Sequence, residues 1–339
     1  MERGRRPADR VPNGNDGLMN ATIAGFEPFV GEHCETTATG NLLHAAGLPL
    51  SEPMMFGLGQ GLSYGIFTFK GAPAPFIGGR TRPEQLTQDL ASRLGLDVDV
   101  RTTRSARRAW ANVADFVDQG IPVGVKLNMR LLDYDITGAD FADHFVAAYG
   151  YDGERVYVVD TRGQGGARVT SRASFEAARL WKGPMSSNAL TWTIAAPHPI
   201  TLRSALPGAI AATAQAFLNP RIANFGAKGI RKTARVIRAW PQEYAAADLA
   251  GIGHLMEHGG TGGGLFRRMY AAFLREAGGV LGDGSLLDVA EQFEIAAGLW
   301  SQVAAALEQV DGPDSLDRAA QLLHEIADVE ETAMQALAD

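Results

Sequence analysis

Cys34 is the only cysteine in 339 residues, and it stands where the polar segment Gly31-Glu32-His33-Cys34-Glu35-Thr36-Thr37 turns into a helix. A thiol is a weak nucleophile until it ionises, and a helix N-terminus and a neighbouring imidazolium both favour the thiolate. An imidazole and a carboxylate that could orient it lie much further along the chain. His144 heads the apolar run Phe145–Tyr151, and Asp160 ends the run that starts at Arg155. Between them Asp152-Gly153-Glu154 reads as a hairpin turn. Folding the chain there sets His144 opposite Arg162 and makes Asp160 its diagonal neighbour, within reach of an imidazole. Nucleophile, base and orienting carboxylate are the parts of covalent acyl chemistry. Each also has a plainer reading. Free cysteines are mostly small buried hydrophobes, a histidine can be satisfied at a strand end, and an aspartate can simply form a turn.

The elements that must position these groups are short and alternating up to about residue 200. Strands are expected at Ile121–Leu127, Phe145–Tyr151, Arg155–Asp160 and Leu190–Ile194, and helices at Cys34–Ala46, Pro83–Leu94, Ala106–Gln119 and Ser171–Leu180. Ala196-Pro197-His198-Pro199 then breaks regular structure. Beyond it the pattern is helical, with runs at about Thr201–Leu218, Ala227–Ala247, Gly263–Ala277, Ser285–Val310 and Ser315–Leu337. The expected organisation is a disordered tail over 1–20, an α+β unit over 21–197 and a helical unit over 198–339.

The bulk composition narrows the function classes. A formal charge of −7 argues against general nucleic-acid binding. A single cysteine excludes an internal disulfide and thiolate-rich zinc sites. No run approaches the roughly 18 apolar residues of a membrane span, so the expected location is the cytoplasm. His254 and His258 share a helix face, but His-Leu-Met-Glu-His is not a zinc-protease pattern and offers no third ligand, so no metal is expected. Gly57-Leu58-Gly59-Gln60-Gly61 lacks the spacing of a dinucleotide fingerprint. It reads either as a flexible loop near the site or as a tight turn. Gly259–Gly264 lacks the ending of a phosphate loop and reads as a turn into a helix.

Cys, His and Asp in that chain order resemble papain-like cysteine enzymes. More closely, Gly31–Thr36, Asn41-Leu42-Leu43 and Leu50–Leu62 resemble the N-terminal domain of the butirosin biosynthesis protein H family. His144–Asp152 with Val156–Asp160 resembles that family and the wider C39-peptidase-like group. Gly260–Tyr270 resembles the domain usually fused behind it. The resemblance implies a papain-like (C39-like) fold and acyl transfer in antibiotic or other natural-product biosynthesis. An acyl group would move from a carrier-protein or CoA-type thioester to an amine, forming an amide. By it, Cys34 would be the nucleophile, His144 the general acid/base and Asp160 the orienting carboxylate. Glu35, Gln60 and Tyr64 are expected to contact substrate. No cofactor is implied, since phosphopantetheine would arrive on the carrier protein. Lys228, Arg231, Arg235 and Arg238 form a basic stripe, of which Arg231 and Arg235 are expected to dock an acidic acyl carrier protein. The Ala-rich terminal helices could pair two chains. Two alternatives stay open: a peptidase or thioesterase with the same three residues, and a binding module without catalysis.

Overall fold

The computed structural model describes residues 21–138, 141–183, 185–312 and 314–338. The expected tail over 1–20 lies outside them. Among the described residues, nine strands run in chain order as β1 (Ala21–Thr22), β2 (Leu62–Phe67), β3 (Phe76–Arg80), β4 (Asp97–Arg101), β5 (Val123–Leu127), β6 (His144–Tyr151), β7 (Arg155–Val159), β8 (Ala167–Ser171) and β9 (Thr191–Ala195). Helices of the first half are α1 (Cys34–Ala45), α2 (Glu52–Leu58), α3 (Gln85–Leu94), α4 (Ala106–Val117) and α5 (Arg172–Leu180). Those of the second half are α6 (Leu202–Leu218), α7 (Gly226–Val236), α8 (Trp240–Glu243), α9 (Ala246–His258), α10 (Arg267–Leu281), α11 (Ser285–Glu308) and α12 (Asp317–Ala338).

An antiparallel sheet in the order β4-β9-β5-β6-β7-β8, with β1 also on β6, forms the centre of the first half. Strand alternation sorts its side chains to two faces. Val123, Val125, Leu127, Val146, Ala148, Val156 and Val158 pack with Val113, Phe116 and Val117 of α4 and Phe175 and Ala178 of α5. Phe145, Ala147, Val159 and Trp192 belong to the opposite core, with Ala38, Leu42 and Leu43 of α1. That core runs on without a break into the helical half.

The β6–β7 hairpin sets the register near the site. Ala147 pairs with Val159 and Ala148 with Val158, and continuing that register places His144 opposite Arg162. A bulge at Tyr149 shifts the far end by one residue, so Gly150 pairs with Tyr157. The hairpin therefore has the expected register at the His144 end and departs from it only near the turn.

Other elements depart further from expectation. Leu62–Phe67 and Phe76–Arg80 form a separate hairpin, which lies on α7 through the bridge between Gly65 and Phe225. The helix expected over Ala227–Ala247 is cut after Val236 by a 3-10 turn, and Pro241 opens the short α8 behind it. The helix expected from Gly263 starts only at Arg267, because Gly262 through Phe266 all have positive φ.

Candidate active site

The helix that Cys34 opens is fixed at its entry by an acidic residue from the next helix. Four N-terminal N–H groups of a helix have no partner within it, and the His33 side chain does not cap α1. Glu52, at the start of α2, takes one of them, that of the N-cap His33, and braces the chain on either side. Its carboxylate accepts from the backbone N–H of Glu32 at 2.8 and 3.0 Å, from that of His33 at 2.8 Å and from the Thr36 hydroxyl at 2.7 Å. A Cβ on Gly31 would sit 2.6 Å from that carboxylate, so glycine is what allows the approach. Cys34 follows directly, 8% exposed.

His144 opens β6 and is buried. Its Nε2 lies 2.8 and 2.9 Å from the two Asp160 oxygens. Nδ1 is left as the nitrogen that can face sulfur, and Cys34 lies near enough to the ring to act on its charge. Burial pulls the imidazole pKa down, but the Asp160 charge and hydrogen bond, with Cys34, push it up to about 10. Asp160 is itself held from behind. The Tyr134 hydroxyl donates to Oδ2 at 2.7 Å and the Thr161 N–H donates to Oδ1 at 2.6 Å. Burial and the Asp160 charge push the Tyr134 phenol far up, so it stays a donor. The structure thus brings Cys34, His144 and Asp160 together, with the imidazole hydrogen-bonded to the carboxylate.

The stretch that holds these residues matches a known family model. Residues 33–161 fit the family model described as butirosin biosynthesis protein H, N-terminal. That stretch of the chain is similar to the N-terminal domain of that family. Residues 173–337 fit a second model, a domain of unknown function designated DUF4872. No curated protein matches the chain. The butirosin biosynthesis protein H model begins one residue before Cys34 and ends one after Asp160, so it encloses the whole constellation.

Several expected contacts fall elsewhere. Glu35 is fully buried, with Arg80 Nη1 and the Glu84 N–H on one oxygen and the Thr87 N–H and hydroxyl on the other. A carboxylate so engaged ties α1 to α3 and has no face for substrate. Tyr64 is also fully buried, 2.6 Å from the Thr233 hydroxyl and stacked on Trp300, so it belongs to the junction with the helical half. Gln60 is half-buried with φ of 51° in the turn from α2 to β2. The glycines beside it are packed tightly: a Cβ on Gly57 would meet the Phe273 ring at 2.1 Å. The segment is a tight turn and not a flexible loop. Arg231 is committed to Asp328 at 2.8 Å and to Glu331, both on α12, which answers half of the expected docking pair inside the fold; Arg235 is exposed. The His254 and His258 rings lie 4.9 Å apart, and the described residues contain no cluster of three metal-ligating side chains.

Sequence reasoning missed Glu52 and Tyr134. Ser51-Glu52-Pro53 is a helix-start signal, and Ser51 does cap α2. It could have placed Glu52 at a helix N-terminus, but nothing local pointed that carboxylate at α1. Tyr134 lies in an irregular stretch whose partner comes from 26 residues away.

Proposed function

We propose that the chain is a cysteine-dependent acyltransferase with a papain-like catalytic unit over residues 21–197. The reading rests on one observation above others: a buried imidazole sits between a lone thiol at a helix start and a carboxylate held by two further donors. In the first half-reaction the Cys34 thiolate attacks a thioester carbonyl of a carrier-bound or CoA-type substrate. The Cys34 S–C bond forms, the donor's C–S bond breaks, and the leaving thiolate takes the His144 proton. In the second, an amine attacks the acyl-enzyme, His144 accepts its proton, and Cys34 leaves as the amide forms. The Cys34 backbone N–H, in the first turn of α1, is placed to stabilise the tetrahedral oxyanion.

Amide formation must outrun hydrolysis, which calls for a covered site. The helical half supplies a cover over the nucleophile's approach. A Cβ on Gly260 would lie 3.0 Å from the Glu32 carbonyl oxygen, and the Phe266 ring sits edge-on to His33 at 5.4 Å. The carrier protein remains a proposed partner, with exposed Arg235 as one contact. Intact-mass measurement after incubation with acyl thioesters tests the reading. An acyl adduct on wild type and none on Cys34→Ala is expected, with amide product when an amine is added. Free acid alone, whatever amine is offered, would make the chain a hydrolase. No adduct with any thioester would leave a binding module.

A further inference from the structure

A pocket of about 240 Å³ lies between α3 and the β4–β9 side of the sheet. Its floor is Ala91, Leu96, Phe145, Leu190 and Trp192, all buried. It opens to solvent past Gln88, Ser92 and Val100. Buried apolar floor with an open mouth is the usual form of a small-ligand site.

Its position ties it to the catalytic groups. Glu84 and Thr87 form one wall, and their backbone N–H groups hold the carboxylate of Glu35, the residue after Cys34, at 3.2 and 3.1 Å. Phe145, on the floor, is the residue after His144. Lys126 closes the circuit: its Nζ pairs with Glu84 at 3.0 Å and with Asp143, the residue before His144. The pocket is therefore bracketed by chain neighbours of both the nucleophile and the base.

The lining chemistry limits what could sit there. Glu84 is the charged lining residue, and its carboxylate is engaged by Lys126, so the lining offers no cation to an acidic group. Apolar walls meet only the hydroxyl and amide groups of Thr87, Gln88 and Ser92 at one side. The volume exceeds the roughly 150 Å³ that admits benzene in an apolar cavity. At about 30 Å³ per water-sized group, it accommodates a chain of about eight carbons.

We infer that this pocket is the acyl-group subsite, selecting an uncharged, apolar acyl chain of medium length. The inference rests on the acyl-transfer reading, and two measurements separate their fates. The first is adduct formation on Cys34 with straight-chain acyl thioesters from acetyl to dodecanoyl. The rate at sub-saturating substrate should rise by up to about fourfold per buried methylene to about eight carbons and then fall. Ser92→Phe, at an exposed rim position, should lower the octanoyl rate at least tenfold relative to the acetyl rate. The second is calorimetric binding of octanamide, which needs no catalysis. Wild type should bind it, and Ser92→Phe and Ala91→Leu should weaken binding at least tenfold. A chain-length profile unchanged by both substitutions, or octanamide binding that ignores them, overturns the subsite. Octanamide binding that is lost on filling supports the pocket even if no thioester acylates Cys34, an outcome that would sink acyl transfer instead.

Discussion

The proton on His144 is where the proposed chemistry is most open to test. Folding raises that ring from the ordinary 6.5 to about 10, because the gain from Asp160 and Cys34 exceeds the burial cost. A group whose pKa rises on folding contributes its full stabilisation below the unfolded value. The His144 contribution is thus complete below pH 6.5 and disappears as the pH climbs through about 10. An NMR titration of the His144 ring should show a midpoint near 10 in wild type and a clearly lower one in Asp160→Asn. The same substitution should slow Cys34 acylation by about 10²–10⁴-fold, since it removes the group that fixes tautomer and charge. An unchanged midpoint would remove Asp160 from the account. Tyr134→Phe asks a finer question. It deletes one donor to Asp160 and leaves the other, from Thr161. The His144 midpoint should then rise, because Asp160 loses a competing donor, while the Michaelis constant stays as in wild type. A changed Michaelis constant with a fixed midpoint would assign Tyr134 to substrate contact.

At the scale of elements, α1 and the β6–β7 hairpin carry the constellation, and both were legible in the sequence. The run Phe145–Tyr151 and the turn Asp152-Gly153-Glu154 specify a hairpin because apolar pattern and turn chemistry agree. Elements that hid did so for physical reasons. β4 reads Asp-Val-Asp-Val-Arg and sits at a sheet edge, where little burial is needed to hold a strand. β2 and β3 are rich in glycine and packed against α7, so the hairpin is decided by a tertiary partner and not by local propensity. α2 was hidden by Pro53 and its closing glycines, yet it brings Glu52 to the entry of α1. Its packing is correspondingly tight. Gly57→Ala forces a methyl into the Phe273 ring of α10. Overpacking of this kind costs about 1–3 kcal/mol. Denaturant melts should show that loss, and Cys34 labelling by a thiol reagent should become faster as the α2–α10 contact loosens. A variant as stable as wild type would mean that Phe273 moves aside freely.

Across the whole molecule the two halves share one core, so the composition change near residue 200 does not mark a mechanical break. The clearest tie is polar and fully buried. Arg267 of α10 makes a bidentate pair with Glu330 of α12, at 2.7 and 2.8 Å, and the Trp300 indole N–H donates to the same carboxylate at 2.7 Å. Arg267 also donates to the carbonyl of Ser63 in β2, which carries the tie into the first half. Such pairs add little net stability when replaced as a unit, but removing one partner strands a buried charge. Glu330→Ala should therefore cost about 3–5 kcal/mol. Because the core is continuous, that loss should be felt in both halves together. Near-ultraviolet dichroism, with tryptophans on both sides, and the exchange of amides in β6 should report the same lowered midpoint in a single transition. Two separated transitions, with β6 unaffected, would show that the helical half unfolds by itself and could leave the site open to water without dismantling it.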